Sequence, residues 1–145
     1  MLAAFETTSV AMVKAVQIEV QAPEADARRI LAAVAAIDPL AMTPAYDNNA
    51  LLTGPGIERY RPRQGAVAGV EEEVRERPGV VRVIFELTSG QDTLAEVIET
   101  IFQAHCYQEP VIRLSEILTA RSKGRDDRDN PNRWWNTTGD WKRGS

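Results

Sequence analysis

Three clusters in the sequence carry residue types able to do chemistry. Arg59, Arg61 and Arg63 alternate along the chain. In an extended run, alternate residues share one face, so the three guanidiniums would form a basic strip. Guanidinium forks pair bidentately with carboxylate or phosphate. Gly54 and Gly56 lie just upstream, where backbone approaches a ligand closely. The strip is the best anion-site candidate. It is not a P-loop, because no Gly-Lys-Ser/Thr follows the glycines. The plainer reading is an edge strand kept from pairing by its charges and by Pro62.

His105 and Cys106 are adjacent. Imidazole and thiolate suit copper or zinc, so one reading is a soft metal site. The plainer reading makes His105 a donor at a helix C-terminus and Cys106 a small hydrophobe. With one Cys and one His, an intrachain disulfide, a multi-cysteine zinc site and a multi-histidine site are excluded within one chain. The acidic run Glu71-Glu72-Glu73 with Glu76 lacks the alternation of a calcium loop and reads as a solvated face neutralised by Arg75 and Arg77. Glu109 is the one acid tied to a recognisable motif. No Gly-x-Ser-x-Gly elbow occurs, and no paired carboxylates for acid–base work stand out. The reading therefore leans away from an enzyme.

The elements that must position these residues follow from periodicity. Alternation predicts a strand over 10–20, after an N-terminus (1–9) that frays. Pro23 opens a helix that carries Glu24 and Asp26 in its first turn and ends at Asp38-Pro39. Prolines and glycines punctuate 39–79, which predicts short extra strands near 45–53, 57–61 and 69–75. Val81, Val83, Phe85 and Leu87 share one face of a strand over 80–87. Asp92 then caps a helix to about residue 106, and 111–118 form a last strand. The order is that of an α+β, ferredoxin-like βαββαβ sandwich, an antiparallel sheet with two helices on one face. A doubly wound parallel fold is the lesser alternative.

The chain has 145 residues, of which 43% are hydrophobic, enough for one domain with one core. Residues 10–120 are assigned to that domain and 121–145 to a C-terminal tail. The overall charge of -4 argues against nucleic acid as a partner. The charge is uneven: residues 1–120 carry a net -7, the tail a net +3 and all three tryptophans, Trp134, Trp135 and Trp141. Indoles are enriched at protein interfaces, so the tail is expected to dock on a neighbouring subunit or close over a cleft, the plainer reading being a flexible terminus. No apolar run reaches the roughly 18–20 residues of a membrane span. No secretory signal is visible, which makes the cytoplasm the default.

Four stretches carry a resemblance. They are Pro23-Glu24 after the first strand, Tyr46-Asp47, Gly54-Pro55-Gly56 followed by Tyr60-Arg61-Pro62, and His105-Cys106-Tyr107-Gln108-Glu109-Pro110. Together, over about 14–118, they resemble the CutA-like domain of the NGG-interacting-factor-like (NIF-three) family. That family shows a Tyr-Asp pair, a Gly-x-Gly-x-aromatic-Arg-Pro segment and a closing His-Pro-Tyr-Glu-Glu-Pro. Here Cys106 replaces the proline and Gln108 a glutamate, and the glycine segment is two residues longer.

The resemblance implies a fold close to CutA and the PII signalling proteins, a homotrimer, and ligand sites in clefts between subunits. It also implies that the dinuclear metal centre of longer family members lies in flanking domains and does not carry over. The expected function is a non-catalytic, regulatory PII/CutA-like module that binds a small anion, nucleotide-like or carboxylate, through Tyr46, Arg59, Arg61, Arg63 and Glu109, and reports it to a protein partner. One rival is a metal-binding or metal-tolerance protein using His105 and Cys106 from each copy of a trimer. Another is an accessory subunit of a metal-dependent hydrolase of the GTP cyclohydrolase type 2-like family. A nucleotide and a divalent metal are the cofactor candidates.

Overall fold

The computed structural model describes residues 2–124 and 130–136. The elements are β1 (Phe5–Glu6), β2 (Val10–Pro23), α1 (Glu24–Ala35), β3 (Leu51–Tyr60), β4 (Arg75–Leu87), α2 (Gln91–Ala104) and β5 (Ile112–Ser122), with a 3-10 turn at Trp134–Asn136. All strand pairs are antiparallel. Across the sheet the order is β5, β2, β4, β3. β5 pairs the whole run Val10–Val20 of β2, so β1, which pairs Ala11 and Met12, lies on the β4 side, short of where β4 begins at Val16. This is the ferredoxin-like α+β arrangement, with one short strand added at the N-terminus.

The core forms because period 2 in the strands meets period 3.6 in the helices on one sheet face. Ile18, Val20 and Ala22 of β2 and Val81, Val83, Phe85 and Leu87 of β4 point to that face. Ala27, Ile30 and Val34 of α1 and Leu94, Val97 and Ile101 of α2 close over them. The opposite face is polar. Glu19 lies between Arg82 and Arg113, and the Arg82 guanidinium above all holds its carboxyl below the usual range. Glu86 pairs with Arg121 at 3.5 Å and accepts from Thr119 Oγ1 at 3.0 Å.

Several expectations change. Phe5 and Glu6 pair with β2 instead of fraying. Gly90 occupies the N-cap of α2, and Asp92 sits inside the first turn, where it favours the helix dipole. The middle section holds one continuous strand in place of three short ones. β3 runs through Gly54-Pro55-Gly56, β4 runs through Pro78-Gly79, and residues 61–74 form a loop. Two bulges reconcile the punctuation with pairing. Gly54 and Pro55 face Val81 alone, and Pro78 and Gly79 face Ile57 alone, the latter with Gly79 at φ 77°. β3 is an edge strand, and Pro78 lies past the last β2 pair, at Val80, so neither proline forfeits a central ladder bond.

Candidate functional site

The two bulges divide the β3–β4 hairpin into a base inside the sheet and an arm beyond it. Bulges bend and twist a ribbon, and the arm carries Arg77 over the Tyr107 ring, with its guanidinium 4.7 Å from the centroid. An open cleft of ≈ 710 Å³ lies between the arm with its loop, residues 58–68, and the turn after α2, residues 106–109. That volume is within the range of small-molecule sites.

The cleft gathers Arg59, Arg61, Arg63, Glu109 and Cys106, five of the residues the sequence singled out. Tyr46 is elsewhere: it closes a tight turn on Thr43 and is 67% exposed. His105 is buried behind the cleft wall. The arginines do not form one extended strip, because β3 ends at Tyr60. Arg59 pairs with Glu76 at 3.7 Å. Arg61 and Arg63 reach across the loop to the carbonyls of Glu72 and Glu71, at 3.4 and 3.0 Å.

Sequence reasoning missed Arg77, Tyr60 and Tyr107 as a unit. Arg77 Nη2 donates to Tyr60 Oη at 3.0 Å, and Arg75 Nη1 donates to the same oxygen at 3.3 Å. Those hydrogen bonds, Arg75 first, hold the Tyr60 hydroxyl below its ordinary range. Burial pushes the Tyr107 hydroxyl up to about 12, with Arg77 opposing and Glu58 adding to the shift. The usable signal was register: Arg77 pairs Glu58, which places it on the arm beside Tyr60.

The His105 ring is fully committed. Tyr107 N–H donates to Nδ1 at 3.1 Å. The ring proton therefore sits on Nε2, which donates to Gln21 O at 2.7 Å. His105 ties the post-α2 turn to β2, and Arg29 ties the C-terminal end of α2 to α1 through Ala104 O at 3.1 Å. Asp26, His105 and Cys106 bring one potential ligand atom each within 4.8 Å of one another. The donor set matches a soft or borderline cation in type. Both imidazole nitrogens are already occupied, however, and burial, then Asp26, pushes the Cys106 thiol up, away from the thiolate a metal needs.

The same contact acts on Asp26. The Cys106 thiol first, then the Arg29 guanidinium at 2.8 Å, hold its carboxyl below the usual range against the opposing effect of burial. A depressed carboxylate stabilises the fold above its unfolded pKa, about 3.9, and that contribution is lost as pH falls through the lower folded value. Thermal unfolding followed from pH 6 down to pH 2 is expected to show this loss below about pH 4. Asp26→Asn is expected to be less stable at neutral pH and to flatten that part of the profile.

No family model matches the sequence, and no curated protein does. Solved structures do match. A Bacillus cereus protein related to NIF3 superposes with a TM-score of 0.61 at 14% identity, over 76% of this chain and 27% of that one. The divalent ion tolerance protein CutA1 from Ehrlichia chaffeensis superposes with a TM-score of 0.51 at 16% identity, over 79% of this chain and 87% of that one. The class defined is a ferredoxin-like α+β domain. The fold is CutA-like, and the chain spans about a quarter of the length of the NIF3-related chain. Among the described residues, no helix is long and apolar enough to cross a membrane.

Proposed function

We propose that this chain is a CutA/PII-like oligomeric module that binds a small anion, a phosphate ester or organic carboxylate, in the arm cleft and serves a regulatory role. The observation that carries the reading is the cleft's lining: Arg59, Arg61, Arg63 and Arg77 surround ≈ 710 Å³ of space in a chain of net charge -4. Pro62, Val67 and Val111 supply apolar wall between the guanidiniums. Such a mixture suits a ligand with a charged head and an apolar body. Glu109 on the rim orients the ligand or a neighbouring copy.

On this reading the assembly is a homotrimer and the tail contributes to it. Trp134 and Trp135 pack edge to face, 5.6 Å apart, in the 3-10 turn, in place of the opposite orientations an extended chain would give. They remain 37% and 47% exposed, which leaves apolar surface for a subunit contact. Trp141 lies outside the described residues.

The test is thermal unfolding with inorganic phosphate, pyrophosphate, ATP and citrate, together with native mass. An anion at about 100 times its dissociation constant is expected to add roughly 2.7 kcal/mol of stability. A flat response to all four would overturn the anion reading. A monomeric mass would overturn the trimer.

A further inference from the structure

Gln108 holds the cleft loop by both ends of its amide. Its Nε2 donates to Gly65 O at 3.0 Å, and its Oε1 accepts from Val67 N–H at 2.8 Å. Among the described residues, these are the two hydrogen bonds that tie the loop tip to the turn after α2. The rest of the loop is bonded to itself or to the arm: Ala66 N to Arg63 O at 3.0 Å, Gly69 N to Ala66 O at 2.9 Å, Glu71 N to Pro62 O at 3.1 Å, and Arg75 Nη2 of β4 to Glu71 Oε1 at 2.7 Å. Gly65 and Gly69 adopt φ of 99° and 87°, conformations that favour glycine, and they flank the tip. Residues 66–68 thus form a short preformed segment between two glycine pivots. Val67 is 88% exposed, so little packing holds the tip down.

The chemistry at position 108 requires an amide. A carboxylate there accepts from Val67 N–H but offers Gly65 O no proton. Gln108, Gly65 and Val67 all line the cleft. We propose that Gln108 is a latch: it closes the loop tip against the post-α2 turn, and its two hydrogen bonds set how fast an anion enters and leaves the cleft. The gating role rests on the anion-binding reading; the latch itself does not.

The experiment uses the full chain. Amide hydrogen exchange at Val67 is compared in wild type, Gln108→Ala and Gln108→Glu, with Val83 and Phe85 of the core as references. In Gln108→Ala, two lost hydrogen bonds are expected to lower Val67 protection about tenfold or more while the core amides hold; in Gln108→Glu at neutral pH the bond to Val67 N–H is kept, and the fall is expected to be smaller. In Gln108→Glu, protection is expected to return as the new carboxyl takes up a proton near about pH 4.3, since it can then donate to Gly65 O. Stopped-flow binding of pyrophosphate is expected to show association and dissociation both faster in Gln108→Ala. Unchanged Val67 protection would overturn the latch. Faster Val67 exchange with unchanged pyrophosphate rates would overturn the gating. A wild type that does not bind pyrophosphate at all would remove the gating together with the anion reading, while Val67 exchange still decides the latch.

Discussion

Arg77→Ala is expected to weaken pyrophosphate binding by about 10–100-fold, the equivalent of one charge-assisted hydrogen bond. Arg77 is the guanidinium best prepared for a ligand. It is half-buried, lies 4.7 Å from the Tyr107 ring centroid and 5.5 Å from that of Tyr60, and is fixed by its bond to Tyr60 Oη. Among the described residues no carboxylate forms an ion pair with it, Glu58 being its partner in backbone register only, whereas Arg59 has Glu76 and Arg63 has Glu72 at 4.0 Å. Ordering costs for this side chain have therefore been met before a ligand arrives. Arg77→Lys keeps the charge but loses the planar fork and its stacking, so recovery should be partial. The fold should survive both changes, because the arm lies outside the core cluster. Calorimetric titration decides the matter: equal affinity in wild type and Arg77→Ala would move the site away from the arm.

His105→Ala is expected to cost about 2–5 kcal/mol of stability in urea unfolding. Truncation leaves the Gln21 carbonyl and the Tyr107 N–H without these partners in a partly buried place, at about 1–3 kcal/mol each. A small void adds to this. The loss should spread to the cleft, since His105 is the pin that sets the direction of Tyr107, whose ring packs against it at a 52° tilt with centroids 4.6 Å apart. His105→Asn, which can still accept from Tyr107 N–H but cannot reach Gln21 O, should lie between. A cost under about 1 kcal/mol would show that the turn is held by other means. Unchanged stability with a loss of bound metal would instead favour the Asp26–His105–Cys106 cation reading.

The elements with strong periodicity were legible in the sequence. Val81, Val83, Phe85 and Leu87 alternate because β4 buries one face, and Leu94, Val97 and Ile101 recur because α2 presents one stripe to it. The arm was not legible. Gly54-Pro55-Gly56 and Pro78-Gly79 carry ordinary turn signals, and only the opposed strand shows that Gly54-Pro55 and Pro78-Gly79 each add one extra residue to a ladder. The site divided along the same line. Arg59, Arg61 and Arg63 stood out by spacing, yet their common feature is a shared cleft and not a shared strand face. Arg77 was read as a neutralising charge within an acidic run, since its partners, Tyr60 and Tyr107, are distant in sequence. Gln108 was noticed as a motif departure, but its purpose depends on two carbonyl and amide positions more than 40 residues upstream.

The sheet extends past its own core. Among the described residues, none before Val16, and none after Ile112 within β5, belongs to the apolar cluster or packs on it. β1, the first residues of β2 and the last of β5 form a three-strand tongue held by backbone pairing and clipped by Lys123, whose N–H donates to Ser9 O at 2.9 Å and whose ammonium donates to Thr7 O at 2.7 Å. Ladder bonds with little apolar burial supply small local stability. The domain therefore has two grades of cooperativity, a helix-covered block that unfolds as one unit and a tongue that opens ahead of it. Partial opening of that tongue would expose strand edges to a second chain while the arm cleft stays intact.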